Sequence, residues 1–266
     1  MTTTVERDGP ITTIIRTRHS ARNAMDPESA EALVESLLEF DRDPTQSVAV
    51  LFGAGGAFCA GFDLKYAATL VGKDRPLADL DFPAGGGPVP RGPMGPTRLE
   101  LSKPVIAAVA GPAVAGGMEL ALWCDLRVME TSAYMGVYCR RWGVPLIDGG
   151  TVRLPRLVGR GRALDIILTG RKVPAEECFR IGLCDRLVSD GNSRLEAESL
   201  AREIARFPQE CLRADRASVR RQEGLSEREA LRSEWAGSVS VLTREGVAGA
   251  ARFAAGRGRH GDFNDI

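Results

Sequence analysis

A single carboxylate, Glu119, stands in a run of small and apolar residues, AVAGPAVAGGMELALWCDL, at positions 108–126. The run indicates a buried strand, a turn of glycine and alanine, and a helix that begins at about Gly116. The first N–H groups of a helix lack intrahelical partners and lie at its positive end, so they can hold a developing oxyanion. Glu119 is therefore either a general acid or base beside such a site, or an acid that only stabilises the helix dipole.

A second glycine-rich turn, GAGGAFCAGFDLK at positions 53–65, follows another short buried strand. Glycine and alanine at these positions allow the backbone to approach a ligand closely. The turn has neither the Lys-Ser/Thr pair of a phosphate-binding P-loop nor the glycine spacing of a dinucleotide fingerprint. It is a weak signal by itself.

Both turns need a scaffold of strands to carry them. Residues of high β propensity alternate with helical patterns, which predicts an α/β core. Asp26 and Pro27 open a helix as N-cap and first residue, and Pro174 is predicted to be the first residue of another. Gly170 is predicted to cap a helix at its C-terminus. Strands are expected at 11–17, 47–54, 104–111, 125–131 and 183–189, helices at 26–40, 117–124, 159–170 and 174–182, and helix throughout from Ser193.

The alternation of strands and helices is interrupted at residues 81–96, DFPAGGGPVPRGPMGP, which are rich in proline and glycine. Loops of this length are either functional or disordered. We expect either a mobile surface linker or a variable wall over a site.

Composition narrows the classes of function. Lys and Arg together number 35, as do Asp and Glu, so no net charge draws the 266-residue chain to nucleic acid or to an anionic membrane. Six irregularly spaced cysteines and two histidines, His19 and His260, make a metal site unexpected and fit reduced thiols in the cytoplasm. The N-terminal residues carry no apolar signal core, and no apolar run has the length of a membrane-spanning helix.

Four stretches together resemble the crotonase superfamily, the enoyl-CoA hydratase/isomerase family. They are AFCAGFDLK, KPVIAAVAGPAVAGGMELALWCDLRV, GRGRALDIILTGRKVPAEECFRIGLCDRLV and the N-terminal RHSARNAMD. The resemblance covers nearly the whole chain. It implies an α/β fold built as a spiral of ββα units over residues 1–200, and a helical region over 201–266 that associates the chains into a trimer or hexamer.

The resemblance also implies a site for an acyl-CoA thioester. The backbone N–H groups of Phe62 and Gly116 would form the oxyanion hole that holds the thioester oxygen, and Glu119 matches one of the two catalytic glutamates of the hydratases. No cofactor is implied beyond the CoA of the substrate. Further substrate contacts are expected from Ala21, Ala60, Asp63, Leu64, Lys65 and Gly117.

The sequence departs from the hydratases at two positions. Cys139 occupies the place of their second glutamate, which puts simple hydration in doubt, and a small semi-buried cysteine is a better interpretation of it than a nucleophile. Asp148 matches the position of an aspartate that dienoyl-CoA isomerases use, although Asp is also favoured in glycine-rich turns for local hydrogen bonding. We expect Asp148 to assist Glu119.

Arginines crowd two segments, at positions 153, 156, 160 and 162 and at 213, 216, 220 and 221. Because acids are interspersed with them, we expect solvated or intersubunit faces. The prediction is an enoyl-CoA hydratase-like acyl-CoA enzyme that binds neither nucleic acid nor membrane. The alternatives are an enoyl- or dienoyl-CoA isomerase and a non-catalytic acyl-CoA- or RNA-binding paralogue.

Overall fold

The strands form two sheets in the computed structural model, which describes residues 2–258 and so does not include His260. The main sheet has the order β1-β2-β3-β4-β6-β9, parallel except for the antiparallel pair β1–β2. The smaller sheet has the order β5-β7-β8. The strands are β1 (Thr3–Asp8), β2 (Ile11–Arg16), β3 (Val48–Gly53), β4 (Val105–Val109), β5 (Pro112–Val114), β6 (Leu126–Glu130), β7 (Tyr134–Gly136), β8 (Val173–Pro174) and β9 (Arg186–Val188).

Helices alternate with the strands along the chain, and after β9 the described chain contains only helices and their connections. The helices are α1 (Pro27–Arg42), α2 (Leu64–Ala68), α3 (Gly116–Trp123), α4 (Gly150–Val158), α5 (Arg160–Thr169), α6 (Ala175–Arg180), α7 (Ser193–Ala205), α8 (Gln209–Arg221), α9 (Glu227–Val241) and α10 (Val247–Ala254). A π-helical turn, Leu242–Gly246, joins α9 to α10.

Most of the helix boundaries follow from local sequence signals. Asp26 caps α1 by accepting a hydrogen bond from the Ser29 N–H at 2.9 Å, and Gly170 ends α5 with a φ of 59°. Pro174 was predicted to be the first residue of α6, but it is the N-cap, so the helix begins one residue later than predicted. The reason is that Pro174 remains in an extended conformation as the last residue of β8.

Elements that the sequence analysis did not predict are β1, the smaller sheet, α2 and α4, and the helix predicted throughout from Ser193 is interrupted after Ala205 and after Arg221. Nearly every residue of β1 is exposed, as its edge position allows, so the strand lacks an apolar alternation. Helix α4 carries Pro155 in its interior, which disfavours a helix there.

The core lies on both faces of the main sheet because successive residues of a strand point to opposite faces. In β4, Ala107 packs into the larger apolar cluster with α1 and α3, whereas Ile106 packs into a second cluster with α7. Ala201 of α7 belongs to this second cluster, so α7 continues across the predicted domain boundary at residue 200. The division into 1–200 and 201–266 remains a prediction.

The smaller sheet brings the two glycine-rich turns together. After β4 the chain turns at Gly111, forms β5 and enters α3 through Ala115. The Val114 N–H donates to the Cys59 carbonyl at 3.0 Å, which fixes the 59–63 segment beside the start of α3. Within residues 2–258, no helix combines the length and the hydropathy that crossing a membrane requires.

Candidate active site

A cavity of about 440 Å³ opens where the two glycine-rich turns meet. Ala60 and Phe62 from the first turn and Gly116 from the second line it. Within the described residues, Glu119 and Asp148 are the only charged groups in its lining. Its remaining wall is mainly apolar and includes Leu64, Leu70, Leu77, Trp142, Pro145 and Ile147.

The carboxylate of Glu119 is held from outside its own helix. Although Glu119 lies in the first turn of α3, its Oε1 accepts hydrogen bonds from the N–H groups of Asp148, at 2.9 Å, and Gly150, at 2.8 Å. A Cβ at Gly150 would crowd this oxygen. The side chain is therefore fixed by a distant turn, and the helix dipole alone does not explain its position.

Burial and charge change the acidity of Glu119. The residue is only 3% exposed, and removal from water, together with the negative charge of Asp148, raises its pKa to about 7. The two N–H donors and the charge of Arg153 oppose this rise. A carboxyl with a pKa of about 7 can both take and give a proton near neutral pH.

Asp148 is buried beside Glu119 and is anchored to a different segment. Its Oδ1 accepts hydrogen bonds from the Met94 N–H, at 3.0 Å, and from the Thr97 hydroxyl. Burial raises the pKa of this carboxyl, and these bonds oppose the rise. The side chain thus does not cap its own turn, which was one of the two expectations for it.

Cys139 lines the cavity from the short helical segment Tyr138–Trp142 and is buried. Burial raises the pKa of the thiol, and the charge of Glu119 raises it further. A protonated thiol is a weak nucleophile, so these surroundings favour a packed cysteine over a nucleophilic one.

Two residues of the cavity lining, Phe62 and Gly116, have backbone N–H groups without a hydrogen-bond partner in the described part of the chain. Within residues 2–258, neither the Phe62 nor the Gly116 N–H donates a hydrogen bond. Neighbouring bonds hold the first segment, since Met25 accepts from the Asp63 N–H and donates to the Gly61 carbonyl, each at 2.8 Å.

The backbone around these two N–H groups adopts unusual conformations. Gly61 has a φ of 96°, and Ala115, directly before Gly116, has a φ of 55° and a ψ of −127°. Such backbone is costly for a residue with a Cβ, by about 1–3 kcal/mol, and is typical of functional sites. A Cβ at Gly61 would lie 3.0 Å from the Gly116 nitrogen, so the two turns are in close contact.

Of the predicted substrate contacts, Ala60 and Leu64 line the cavity. Asp63 caps α2 and forms an ion pair with Arg18 at 2.6 Å, and Gly117 is buried against the Cys59 carbonyl. Ala21 is half-buried in the helical turn His19–Ala21, and Lys65 is exposed. None of these last four belongs to the cavity lining, and their contact with substrate remains a prediction.

Sequence analysis missed the residues that support the two acids. Arg153, one of the arginines expected on a solvated or intersubunit face, is half-buried, and its guanidinium donates to the carbonyls of Asp148, at 2.9 Å, and Thr97, at 2.7 Å. Arg156, three residues on, is exposed, and the intersubunit alternative stays a prediction. The only sequence signal was the position of Arg153 five residues after Asp148.

The proline- and glycine-rich segment 81–96 is exposed in its middle and buried near its end. Residues 83–89 are exposed, whereas Met94 is fully buried against Gly116 and lines the cavity with Pro93. The end of the segment is therefore a wall of the site.

The profile of the enoyl-CoA hydratase/isomerase family matches residues 6–81 and 96–251 and omits the segment between them. The chain is 36% identical over 245 residues to the enoyl-CoA hydratase EchA19 of Mycobacterium tuberculosis, covering 90% of this chain and 87% of that protein. It is 38% identical over 200 residues to the carnitinyl-CoA dehydratase of Salmonella arizonae, covering 74% and 72% of the two chains.

Solved structures agree with these sequence matches. An enoyl-CoA hydratase from Mycobacterium tuberculosis superposes with a TM-score of 0.85 at 32% identity, covering 96% of both chains. One from Bacillus anthracis superposes with a TM-score of 0.84 at 28% identity, also covering 96% of both. The chain therefore has the expected crotonase fold and belongs to the enoyl-CoA hydratase/isomerase family.

Proposed function

We propose that this protein is an enoyl-CoA hydratase-like enzyme that adds water to, or removes it from, an acyl-CoA thioester at the cavity beside Glu119. The observation that carries the proposal is that a buried carboxyl with a pKa of about 7 lines the same mainly apolar cavity as Phe62 and Gly116, whose N–H groups have no partner within residues 2–258. The names of the relatives, hydratase and dehydratase, support the same reaction class.

The N–H groups of Phe62 and Gly116 would hold the thioester oxygen as negative charge develops on it in an enolate. Because both donors are already oriented and have no partner within residues 2–258, no reorganisation is needed when the charge forms. The charge of α3 at its N-terminus adds to this stabilisation. Each such donor contributes about 3–4 kcal/mol to the transition state.

Glu119 would transfer the proton. In hydration, its ionised form accepts a proton from water as the oxygen attacks the β-carbon, and its protonated form then returns a proton to the α-carbon of the enolate. Both forms are populated near neutral pH because the pKa is about 7. Asp148 would assist by holding the neighbouring backbone and by supplying negative charge near Glu119.

A second candidate is the isomerisation of an enoyl- or dienoyl-CoA. The residue that favours it is Cys139, since its thiol stays protonated where hydratases have a second carboxylate. One acid that removes a proton from one carbon and returns it to another needs no activated water.

The deciding experiment incubates the protein with a panel of enoyl-, dienoyl- and β-hydroxyacyl-CoAs and identifies the products by mass. Gain or loss of one water indicates hydratase activity, and an isomer of unchanged mass with a new retention time indicates isomerase activity. Glu119→Gln should lower kcat by about 10²–10⁴ with little change in acyl-CoA binding. Full activity of Glu119→Gln would falsify the proposed role of this residue.

We further propose that the chain self-associates through α8–α10 to a trimer or hexamer and works in the cytoplasm without a cofactor beyond the CoA of its substrate. The exposed apolar side chains of the three helices support the first part. Unpaired thiols support the cytoplasmic location, since all six cysteines are free and five are buried.

A further inference from the structure

Arg153 joins two segments that are far apart in the sequence, residues 94–97 and the turn 148–150. Its Nη1 donates to the Asp148 carbonyl at 2.9 Å, and its Nη2 donates to the Thr97 carbonyl at 2.7 Å. We refer to this pair of hydrogen bonds as the Arg153 fork. A guanidinium can make both bonds at once because its nitrogens are rigidly spaced.

The side chain of Asp148 joins the same two segments, but it accepts hydrogen bonds from the 94–97 segment instead of donating them. Its Oδ1 accepts from the Met94 N–H and from the Thr97 hydroxyl. Two hydrogen bonds thus join the 94–97 segment directly to the 148–150 turn, and the two bonds of the Arg153 fork bridge the same segments through the guanidinium. The N–H groups of that turn, from Asp148 and Gly150, are the ones that hold Glu119.

Glycines leave space for this arrangement. A Cβ at Gly149 would overlap the guanidinium of Arg153, and a Cβ at Gly92 would overlap the Thr97 hydroxyl and the Asp148 carboxylate. Gly149 also has a φ of 94°, which places its neighbours' N–H groups toward Glu119 at little conformational cost.

Resting on the proposed function, we propose that Arg153 is a positioning residue whose fork holds the 148–150 turn against the 94–97 segment and thereby sets the place of the Glu119 carboxylate. The fork does not touch the cavity, since Arg153 is absent from the described lining. Its effect on the reaction is exerted through the backbone of Asp148 and Gly150.

The charge of Arg153 has a second, separable effect. Within residues 2–258, the charged groups with the largest effect on the pKa of Glu119 are Asp148, which raises it, and Arg153, which lowers it, and the thiol of Cys139 also responds to the charge of Glu119. Removal of the Arg153 charge should move the ionisation of Glu119 to higher pH. Arg153→Lys, which disrupts the fork but retains the positive charge, should leave the ionisation of Glu119 at the same pH.

The test compares Arg153→Met and Arg153→Lys with the matched control Arg156→Met. Arg156 lies on the same helix but is exposed and forms an ion pair with Glu223, so its loss removes equal charge without the fork. The first measurement is hydrogen exchange in peptides covering 92–98 and 145–151. We expect exchange about tenfold faster in Arg153→Met, a smaller increase in Arg153→Lys, and wild-type exchange in Arg156→Met.

The second measurement is the pH dependence of kcat/KM with the acyl-CoA that wild type turns over. We expect kcat about 10- to 100-fold lower in Arg153→Met with KM nearly unchanged, and the limb near pH 7 moved upward by about half a unit or more. Arg153→Lys should lower kcat less and leave this limb in place. If Arg153→Met does not fold, Arg153→Lys carries the exchange and kcat measurements.

Wild-type exchange in both Arg153 variants overturns the inference, as does wild-type kcat in both. The exchange measurement needs no turnover. If wild type converts no acyl-CoA while exchange responds to the fork, the proposed function fails and the structural role of the fork stands.

Discussion

We propose Glu119 as the acid and base of the site because burial raises its pKa, and the same burial affects stability. Its ordinary pKa of 4.5 rises to about 7 in the folded protein. Between these values the unfolded chain has released the proton while the folded chain retains it, so stability falls as pH rises through this window. At pH 8 the buried negative charge costs about 3 kcal/mol in the limit set by this shift.

Glu119→Gln should therefore stabilise the protein at pH 8 by about 2 kcal/mol, because the amide removes the charge and keeps an oxygen that can accept from Asp148 and Gly150. The gain should nearly vanish at pH 5, where Glu119 is protonated. Urea unfolding at both pH values measures it. Glu35→Gln, at an exposed position on α1, is the control and should change neither midpoint. An equal gain for Glu119→Gln at both pH values contradicts the assigned pKa.

Cys139 is the residue that separates this site from the two-carboxylate hydratases. Cys139→Glu places a carboxylate in the cavity within the electrostatic reach of Glu119. We expect it to increase water addition to a short enoyl-CoA, about tenfold if wild type hydrates poorly, because a second group can then activate water. Loss of enoyl absorbance measures the rate, and Cys139→Gln, of similar size without the charge, is the control. An equal rise in Cys139→Gln contradicts the explanation.

At the scale of elements, the sequence predicted those parts of the site that have local signals. The glycines at the start of α3 and the continuous apolar run of β4 predicted a strand, a turn and a helix with Glu119 in its first turn, as the structure shows. The resemblance contributed the pairing of that turn with the 53–65 segment. Their contact through Cys59 and Val114 is tertiary and has no local signal.

Helix α4 and its role could not be predicted for a physical reason. Pro155 argues against a helix by local propensity, and tertiary packing of Leu154 and Val158 in the core outweighs it. The position of Arg153 depends on the carbonyl of Thr97 in a proline- and glycine-rich segment whose path no periodicity determines. Arginines with such different surroundings are indistinguishable in the sequence.

The packing of α3 on the 59–63 segment depends on Gly117. A Cβ at this position would overlap the carbonyl oxygen of Cys59, which is backbone and cannot move aside without shifting the Phe62 N–H. Gly117→Ala should therefore destabilise the protein by about 1–3 kcal/mol and lower kcat. Gly161→Ala is the matched control, since Gly161 is likewise the second residue of its helix and a Cβ there meets nothing within 4 Å. Thermal unfolding and turnover of both variants measure the difference, and similar behaviour of the two contradicts the packing argument.

At the scale of the whole molecule, the C-terminal helices differ from the rest of the chain. Helices α8, α9 and α10 contain no buried residue, whereas α7 places Ala197 and Ala201 in the core. Large apolar side chains on the terminal helices and the turn between them are exposed, and these are Val219, Leu231, Trp235, Leu242, Val247 and Phe253. A surface of this kind is typical of a protein–protein interface.

Self-association should therefore depend on the α9 surface. Trp235 is 64% exposed in the single chain, and Trp235→Glu would place an unpaired charge in the interface that we propose. Light scattering at micromolar concentration should give three or six times the mass of one chain for wild type and a lower mass for Trp235→Glu. Leu195→Glu, on α7 and 58% exposed, is the control and should retain the wild-type mass. A wild-type mass equal to that of one chain would contradict the proposed self-association. Assembly retained in Trp235→Glu would place the contact elsewhere on the surface, since a charge buried without a partner is too costly for a stable interface.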